Sequence, residues 1–117
     1  MARKVYLTTT FTPAMLPRGF GGNLSVDEVS AEVFGRRLAD AAREGVLVPA
    51  VGHQNTAEIL RRKFLLSHSP FARVPVELAR GDVVLAAIPQ FRAGESREFT
   101  DDEVRNAEFR YFVIVVG

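Results

Sequence analysis

The spacing of apolar and polar positions changes several times along the chain, and each change predicts a new element. Residues 3–10 are rich in β-branched and aromatic side chains and predict a first strand. A loop follows over residues 11–22, and the apolar–polar alternation of residues 24–29 predicts a short second strand. From Ser30 onwards apolar residues recur at helical spacing, and Gly45 stands where a helix commonly ends. This part therefore predicts two strands and one amphipathic helix.

The middle of the chain predicts a strand, a helix and an edge strand. Residues 46–51 form a short apolar run that is typical of a buried strand. Asn55, with Glu58 three positions later, predicts the start of a second helix. Residues 73–78 alternate strictly, and Pro75 within them favours an edge strand or a position without a ladder hydrogen bond.

The last third of the chain predicts a central strand, a helix and a final strand. Residues 83–88 are continuously apolar, as in a strand buried on both faces. Thr100 and Glu103 predict a capping box for a short helix that runs to about Phe109, before a last strand over residues 111–116. Since this order is not a regular βαβ repeat, we predict an α/β (α+β) fold, a single domain with a mixed β-sheet flanked by helices.

Composition narrows the classes of function. The chain has 117 residues, 47% hydrophobic and 25% charged, which is the balance of one globular domain. It has no cysteine, which excludes disulfides, thiolate nucleophiles and cysteine-type zinc sites. Its 15 basic and 14 acidic residues nearly cancel, so duplex DNA is not favoured, although a local patch for a small anionic ligand stays open. With no bilayer-spanning run and no signal peptide, we expect a cytoplasmic protein without a membrane partner.

His53 is the most informative candidate for chemistry. It lies between a predicted strand and a predicted helix, where it would face a phosphate drawn to the N–H groups and dipole of that helix. Alternatively it only caps the helix or packs in the loop, and the sequence leaves both readings open. His68 lies in a loop of serines and a proline, which fits a surface residue better than a catalytic one. The spacing of the two histidines matches no zinc motif.

Other charged and glycine-rich stretches have ordinary structural interpretations beside their functional ones. The acidic run at residues 101–103 falls in a first helical turn, where carboxylates commonly face the dipole, so a structural role is favoured over a cation site. Arg92 and Glu95 follow the central strand and form either a phosphate clamp or a solvated loop. The glycine-rich residues 18–22 lack the spacing of phosphate-binding and dinucleotide-binding motifs.

Several short stretches, taken together, form a pattern that covers nearly the whole chain. They are residues 4–16 (KVYLTTTFTPAML), 52–56 (GHQNT), 73–74 (RV), 81–82 (GD) and 92–95 (RAGE). In order and spacing they resemble the small ring nucleases, a family that includes a viral anti-CRISPR directed at type III immunity and bacterial and archaeal relatives. The resemblance implies a two-fold homodimer that encloses cyclic tetra-adenylate, because a symmetric ring suits a symmetric pocket.

The resemblance also implies a reaction that needs no metal and no other cofactor. A ribose 2′-hydroxyl attacks the adjacent phosphorus, a histidine protonates the departing 5′-oxygen, and a 2′,3′-cyclic phosphate is left. By this resemblance His53 is the general acid and Glu95 orients or tunes it. Ligand contacts, including phosphate contacts from the two arginines, are implied at Thr9, Thr12, Arg73, Gln90 and Arg92.

The chain departs from the family at the end of the first strand. Thr9 stands where the family has asparagine, and Thr12 stands where it has serine. Two other functions fit the same sequence: a protein that binds a cyclic oligonucleotide without cutting it, as a sponge or sensor, and a structural or regulatory dimer without a nucleotide ligand.

Overall fold

Five strands and three helices form in the computed structural model, which describes residues 3–92 and 98–117. The strands are β1 (Val5–Thr8), β2 (Leu24–Val29), β3 (Leu47–Pro49), β4 (Val83–Pro89) and β5 (Phe109–Val116). The helices are α1 (Ala31–Arg43), α2 (Gln54–Lys63) and α3 (Asp101–Asn106), and a short 3-10 turn covers Pro13–Met15. Among the helices of the described residues, none has the length and apolar character needed to cross a membrane.

The strands form one mixed sheet in the order β2-β5-β4-β1-β3. β1 pairs in parallel with both β3 and β4, whereas β5 pairs antiparallel with β2 and β4. This arrangement confirms the predicted mixed sheet with flanking helices in a single α+β domain. Because β3, β1 and β4 are parallel neighbours, their carboxyl ends lie side by side at one edge of the sheet.

The helices cover one face of the sheet. Phe34 and Leu38 of α1 and Leu60 of α2 pack in one buried cluster with the strand residues Leu7 and Leu85. Each such side chain, once fully buried, contributes about 1.5–3 kcal/mol relative to an exposed position. The opposite face carries a second cluster, which is completed by side chains of the loop after β1 and of the segment before β4. β4 is therefore covered on both faces, which explains its continuous apolar run.

The ends of α1 follow the sequence signals. The side chain of Ser30 accepts a hydrogen bond from the N–H of the third helical residue. At the other end Gly45 has φ +73°, and the N–H groups of Gly45 and Val46 donate to the carbonyls of Ala42 and Ala41 at 3.1 and 3.0 Å. These two bonds make a Schellman motif, for which glycine is the favoured residue. The prediction that the helix ends at this glycine is confirmed.

The capping box of α3 is also confirmed, but its helix is shorter than predicted. Thr100 and Glu103 exchange side-chain to backbone hydrogen bonds of 3.1 and 3.0 Å. Ala107 then adopts an extended backbone with φ −66° and ψ 116°, and Phe109 already pairs with Pro89. The last residues of the predicted helix therefore lead into the strand β5 instead.

Residues 73–78 do not form the predicted strand. Pro75 has no N–H to donate to a ladder, and the segment lies outside the sheet. The N–H of Leu78 instead donates to the carbonyl of Met15 at 2.8 Å, and both side chains pack against the second face of the sheet. The alternation in this segment thus reflects packing over a sheet and not pairing within it.

Candidate functional site

The candidate site lies at the edge where the three parallel strands end. Thr9 directly follows β1, Gln90 directly follows β4, and His53 comes shortly after β3. Since neighbouring strands are about 4.8 Å apart, these positions are spread over roughly 10 Å across the sheet. The carboxyl edge of parallel strands is where open α/β sheets commonly bind ligands.

His53 is the residue from which α2 begins. Its backbone is extended, with φ −111° and ψ 115°, and its carbonyl accepts the first helical hydrogen bond from the N–H of Ala57 at 2.9 Å. Its side chain makes no capping hydrogen bond and the residue is exposed. The imidazole is thus placed at the N-terminal end of a helix without being used to hold that helix together.

The predicted helix start at Asn55 is therefore wrong. Asn55 lies within the first turn of α2, and Glu58, predicted as its capping partner, is bound elsewhere. The Nε and Nη2 atoms of Arg61 donate to the two carboxylate oxygens of Glu58, both at 2.7 Å. These hydrogen bonds from Arg61 lower the pKa of Glu58.

A short parallel bridge joins the chain before His53 to the segment after Pro70. Val51 pairs with Phe71. The N–H of Val51 donates to the carbonyl of Pro70 at 3.2 Å, and the N–H of Ala72 donates to the carbonyl of Val51 at 3.0 Å. Residues 70–72 thus run parallel to the chain that follows β3 and pair with it at one position.

The bridge brings Arg73 to the loop that carries His53. Arg73 follows the bridged Phe71 by two residues, as His53 follows the bridged Val51. In agreement, the Nε of Arg73 lies 3.4 Å from the carbonyl oxygen of Gly52, the residue just before the histidine. The structure thus brings Arg73 to the residue that precedes His53, although the two predicted site residues are far apart in the sequence.

Thr9 and Thr12, the two threonines predicted as ligand contacts, lie after the end of β1. The buried hydroxyl of Thr8 donates to the carbonyl of Thr10 at 2.8 Å and turns the chain, so the strand is shorter than the predicted residues 3–10. Thr9 is half-buried at the edge. Thr12 is exposed and precedes the 3-10 turn, and its side chain makes no capping hydrogen bond there.

The end of β4 places Gln90 and Arg92, both of which are exposed. The backbone N–H of Gln90 donates to the carbonyl of Glu108 at 2.9 Å, and its side-chain amide donates to the carbonyl of Ile88 at 3.1 Å. The amide of Gln90 is thus bonded to its own strand. Glu95, the predicted partner of the histidine, lies outside the described residues.

The acidic run at residues 101–103 has structural partners. Asp101 pairs with Arg62, Asp102 accepts a bond of 2.9 Å from Arg105, and Glu103 completes the capping box. In the part of the chain that the structure describes, no three His, Cys, Asp or Glu side chains form a group that could hold a metal ion. His68 is exposed, as its loop position predicts.

Comparison with known proteins places the chain in a family. A family model described as STIV B116-like matches residues 5–111, which is most of the chain. The chain belongs to the STIV B116-like family. Its structure is similar to that of B116 of Sulfolobus turreted icosahedral virus, with a TM-score of 0.82 and 25% identity over 96% of this chain and 98% of that one. None of the curated proteins matches it.

This member of the B116-like family also has an aromatic residue at the edge that the sequence did not single out. Phe71 is 36% exposed and belongs to the bridge beside Val51. The guanidinium carbon of Arg73 lies 5.6 Å from the centroid of its ring. The only sequence signal was an aromatic residue two positions before the predicted arginine, and no local pattern connects it to His53.

Proposed function

We propose that this protein is a ring nuclease that cleaves cyclic tetra-adenylate to linear di-adenylate ending in a 2′,3′-cyclic phosphate, and so switches off type III CRISPR signalling. The observation that carries the proposal is the contact of Arg73 with the loop of His53: the Nε of the exposed Arg73 lies 3.4 Å from the carbonyl oxygen of Gly52, and the next residue is the exposed His53 at the N-terminus of α2. The pattern of short stretches shared with ring nucleases supplies the substrate class.

The chemistry assigned to these residues is a transesterification. The ribose 2′-oxygen forms a bond to the adjacent phosphorus and loses its proton to solvent, while the bond from phosphorus to the 5′-oxygen breaks. His53, in its protonated form, gives its proton to that 5′-oxygen. Arg73 and the first-turn N–H groups of α2 stabilise the negative charge on the phosphoryl oxygens. The proposal that this step needs no metal rests on the sequence resemblance.

The proposal includes a homodimer that acts in the cytoplasm. Cyclic tetra-adenylate repeats one linkage around a closed ring, so two copies related by a two-fold axis would each present one His53 to it. Cleavage at two opposite linkages then yields two identical di-adenylates. If the protein is viral, the cytoplasm is that of the host.

A second candidate is a protein that binds the cyclic ligand without cutting it. Thr9 favours it, because this half-buried residue at the end of the central parallel strand has no amide where ring nucleases have asparagine. A ribose that is not aligned by that amide would bind without reacting.

The test is incubation of the purified protein with cyclic tetra-adenylate in excess EDTA, with products followed by mass spectrometry. A positioned general acid contributes about 10² to 10⁴ in rate, so His53→Ala should lose cleavage on that scale and still bind the ring. His68→Ala is the matched control, because His68 is exposed in a loop after α2. This control should cleave at the wild-type rate.

The outcomes separate the candidates. Linear di-adenylate with a cyclic phosphate, formed by wild type and His68→Ala but not by His53→Ala, supports the nuclease. An intact ring that is nevertheless bound supports the binding protein. Equal cleavage by wild type and His53→Ala would contradict the assigned acid, and the absence of both binding and cleavage would contradict both candidates.

A further inference from the structure

Phe71 is a large apolar side chain that the fold leaves exposed beside the candidate site. It is 36% exposed and is not a member of either core cluster. Its backbone is nevertheless fixed, because the bridge pairs it with the fully buried Val51. Phe71 thus belongs to the segment whose Arg73 reaches the residue that precedes His53.

Arg73 joins this ring to the histidine loop. Its guanidinium carbon lies 5.6 Å from the centroid of Phe71, while its Nε lies 3.4 Å from the carbonyl oxygen of Gly52. The Arg73 side chain thus contacts both the aromatic ring and the residue that precedes His53. The guanidinium lies over one face of the ring, and an aromatic ring together with a cation suits a ligand that combines a flat ring with a negative charge, as a nucleotide does.

We infer that Phe71 is a base-stacking residue of this site, beside the phosphate contact already assigned to Arg73. This inference rests on the proposed function and adds a residue that holds one base of the ring. Bases stack on aromatic side chains in many proteins that bind single-stranded nucleic acids, because each base has a π-face. The exposed aliphatic residues Val74 and Leu65 offer no such face.

The experiment measures binding of cyclic tetra-adenylate in a His53→Ala background, which keeps the ring intact. Stacking on one aromatic residue accounts for about a 5- to 150-fold difference in affinity per base. Phe71→Leu should therefore weaken binding by a factor in this range, whereas Phe71→Trp should retain it. Val74→Ala is the matched control, because Val74 is 48% exposed in the same segment, and it should leave the affinity unchanged.

A spectroscopic measurement distinguishes stacking from loss of fold. A cyclic tetranucleotide containing 2-aminopurine should lose fluorescence on binding to the His53→Ala protein, and should lose much less on binding to the variant that also carries Phe71→Leu. Thermal unfolding of Phe71→Leu should match that of Val74→Ala, since neither residue lies in a core cluster.

The outcomes distinguish this inference from the proposed function. If the His53→Ala protein binds the ring and Phe71→Leu leaves both affinity and quenching unchanged, Phe71 does not stack a base and the inference alone is wrong. If Val74→Ala weakens binding equally, general apolar contact replaces stacking, and the inference is again wrong. If neither the wild type nor the His53→Ala protein binds the ring, the proposed function fails and the inference fails with it.

Discussion

Tyr111 brings a hydroxyl group into the helix-side core. Its ring packs against Phe34, Phe64 and Phe109 at centroid distances of 4.8, 5.6 and 5.9 Å. The hydroxyl is buried and has no hydrogen-bond partner among the described residues. Burial raises the pKa of Tyr111 to about 12, because the charged phenolate is poorly solvated there. A buried donor without a partner is a net cost to the folded state.

Replacing Tyr111 with phenylalanine should therefore stabilise the protein. Removal of the unpaired hydroxyl should raise the free energy of unfolding by about 1 kcal/mol at pH 7, measured by urea unfolding. The difference should grow by about 1 kcal/mol at pH 11, since the unfolded tyrosine ionises from about pH 10 while the native one stays neutral. Wild type thus loses stability as the pH rises from 10 toward 12, and the variant lacks this loss.

Tyr6→Phe is the control for that measurement. The hydroxyl of Tyr6 donates to the carbonyl of Glu77 at 3.4 Å, so its removal should bring no gain in stability. If Tyr111→Phe instead lowers the free energy of unfolding at pH 7, the buried hydroxyl makes a favourable interaction with a water molecule or a ligand.

At the scale of the elements, a comparison of Gly45 with Gly52 separates the effect of backbone conformation on stability from the effect of packing. Both positions have room for a Cβ, but only Gly45 has a positive φ. Gly45 ends α1 with φ +73°, and a Cβ added there would meet no atom within 4 Å. A Cβ at Gly52, just before His53, would also meet none, and Gly52 does not have a positive φ. Gly45→Ala should therefore cost about 1–2 kcal/mol in the free energy of unfolding through backbone strain alone.

Gly52→Ala should be neutral or should stabilise the fold by a few tenths of a kcal/mol, because alanine restricts the unfolded chain more than glycine does. Urea unfolding of both variants at one pH provides the comparison. An equal loss in both would show that the Schellman motif does not depend on the conformational freedom of glycine.

Those elements that carry their own signals could be predicted from the sequence. α1, β2, β4 and the capping box of α3 are local patterns, because the spacing of their apolar residues and their cap residues lie within a few positions of one another. The start of α2 could not be predicted in this way, since Glu58 pairs with Arg61 instead of capping Asn55. In that helix Glu58 has two possible local partners, Asn55 and Arg61, and the sequence does not indicate which pairing forms.

At the scale of the whole molecule, the candidate site depends on contacts between distant parts of the chain. His53 could be proposed from its place between a strand and a helix, but Arg73 and Phe71 reach the loop that carries it through contacts with Gly52 and Val51. Residues 73–78 had been predicted as a strand, and that pattern did not indicate which strand they would approach. Long-range register is therefore the information that sequence periodicity lacks.

The arrangement of this edge predicts how many chains bind one ring. Three adjacent parallel strands end in a single row that runs from Gln90 through Thr9 to His53, with Arg73 beyond it. A single row can face one side of a closed ring, and a second copy related by a two-fold axis would face the other side. We therefore expect the His53→Ala protein to bind one cyclic tetra-adenylate per two chains, in calorimetric titration and in sedimentation of the complex.

Binding of the ring to the proposed dimer should also raise the stability of the protein. A ligand that binds only the native state at a hundred times its Kd stabilises it by about 2.7 kcal/mol, which thermal unfolding will detect. If the protein is the proposed dimer, the midpoint of thermal unfolding should also rise with protein concentration, because unfolding would then include dissociation to monomers. One ring per chain, with a midpoint independent of protein concentration, would mean that one row of side chains is sufficient and that the two-fold dimer is not the binding unit.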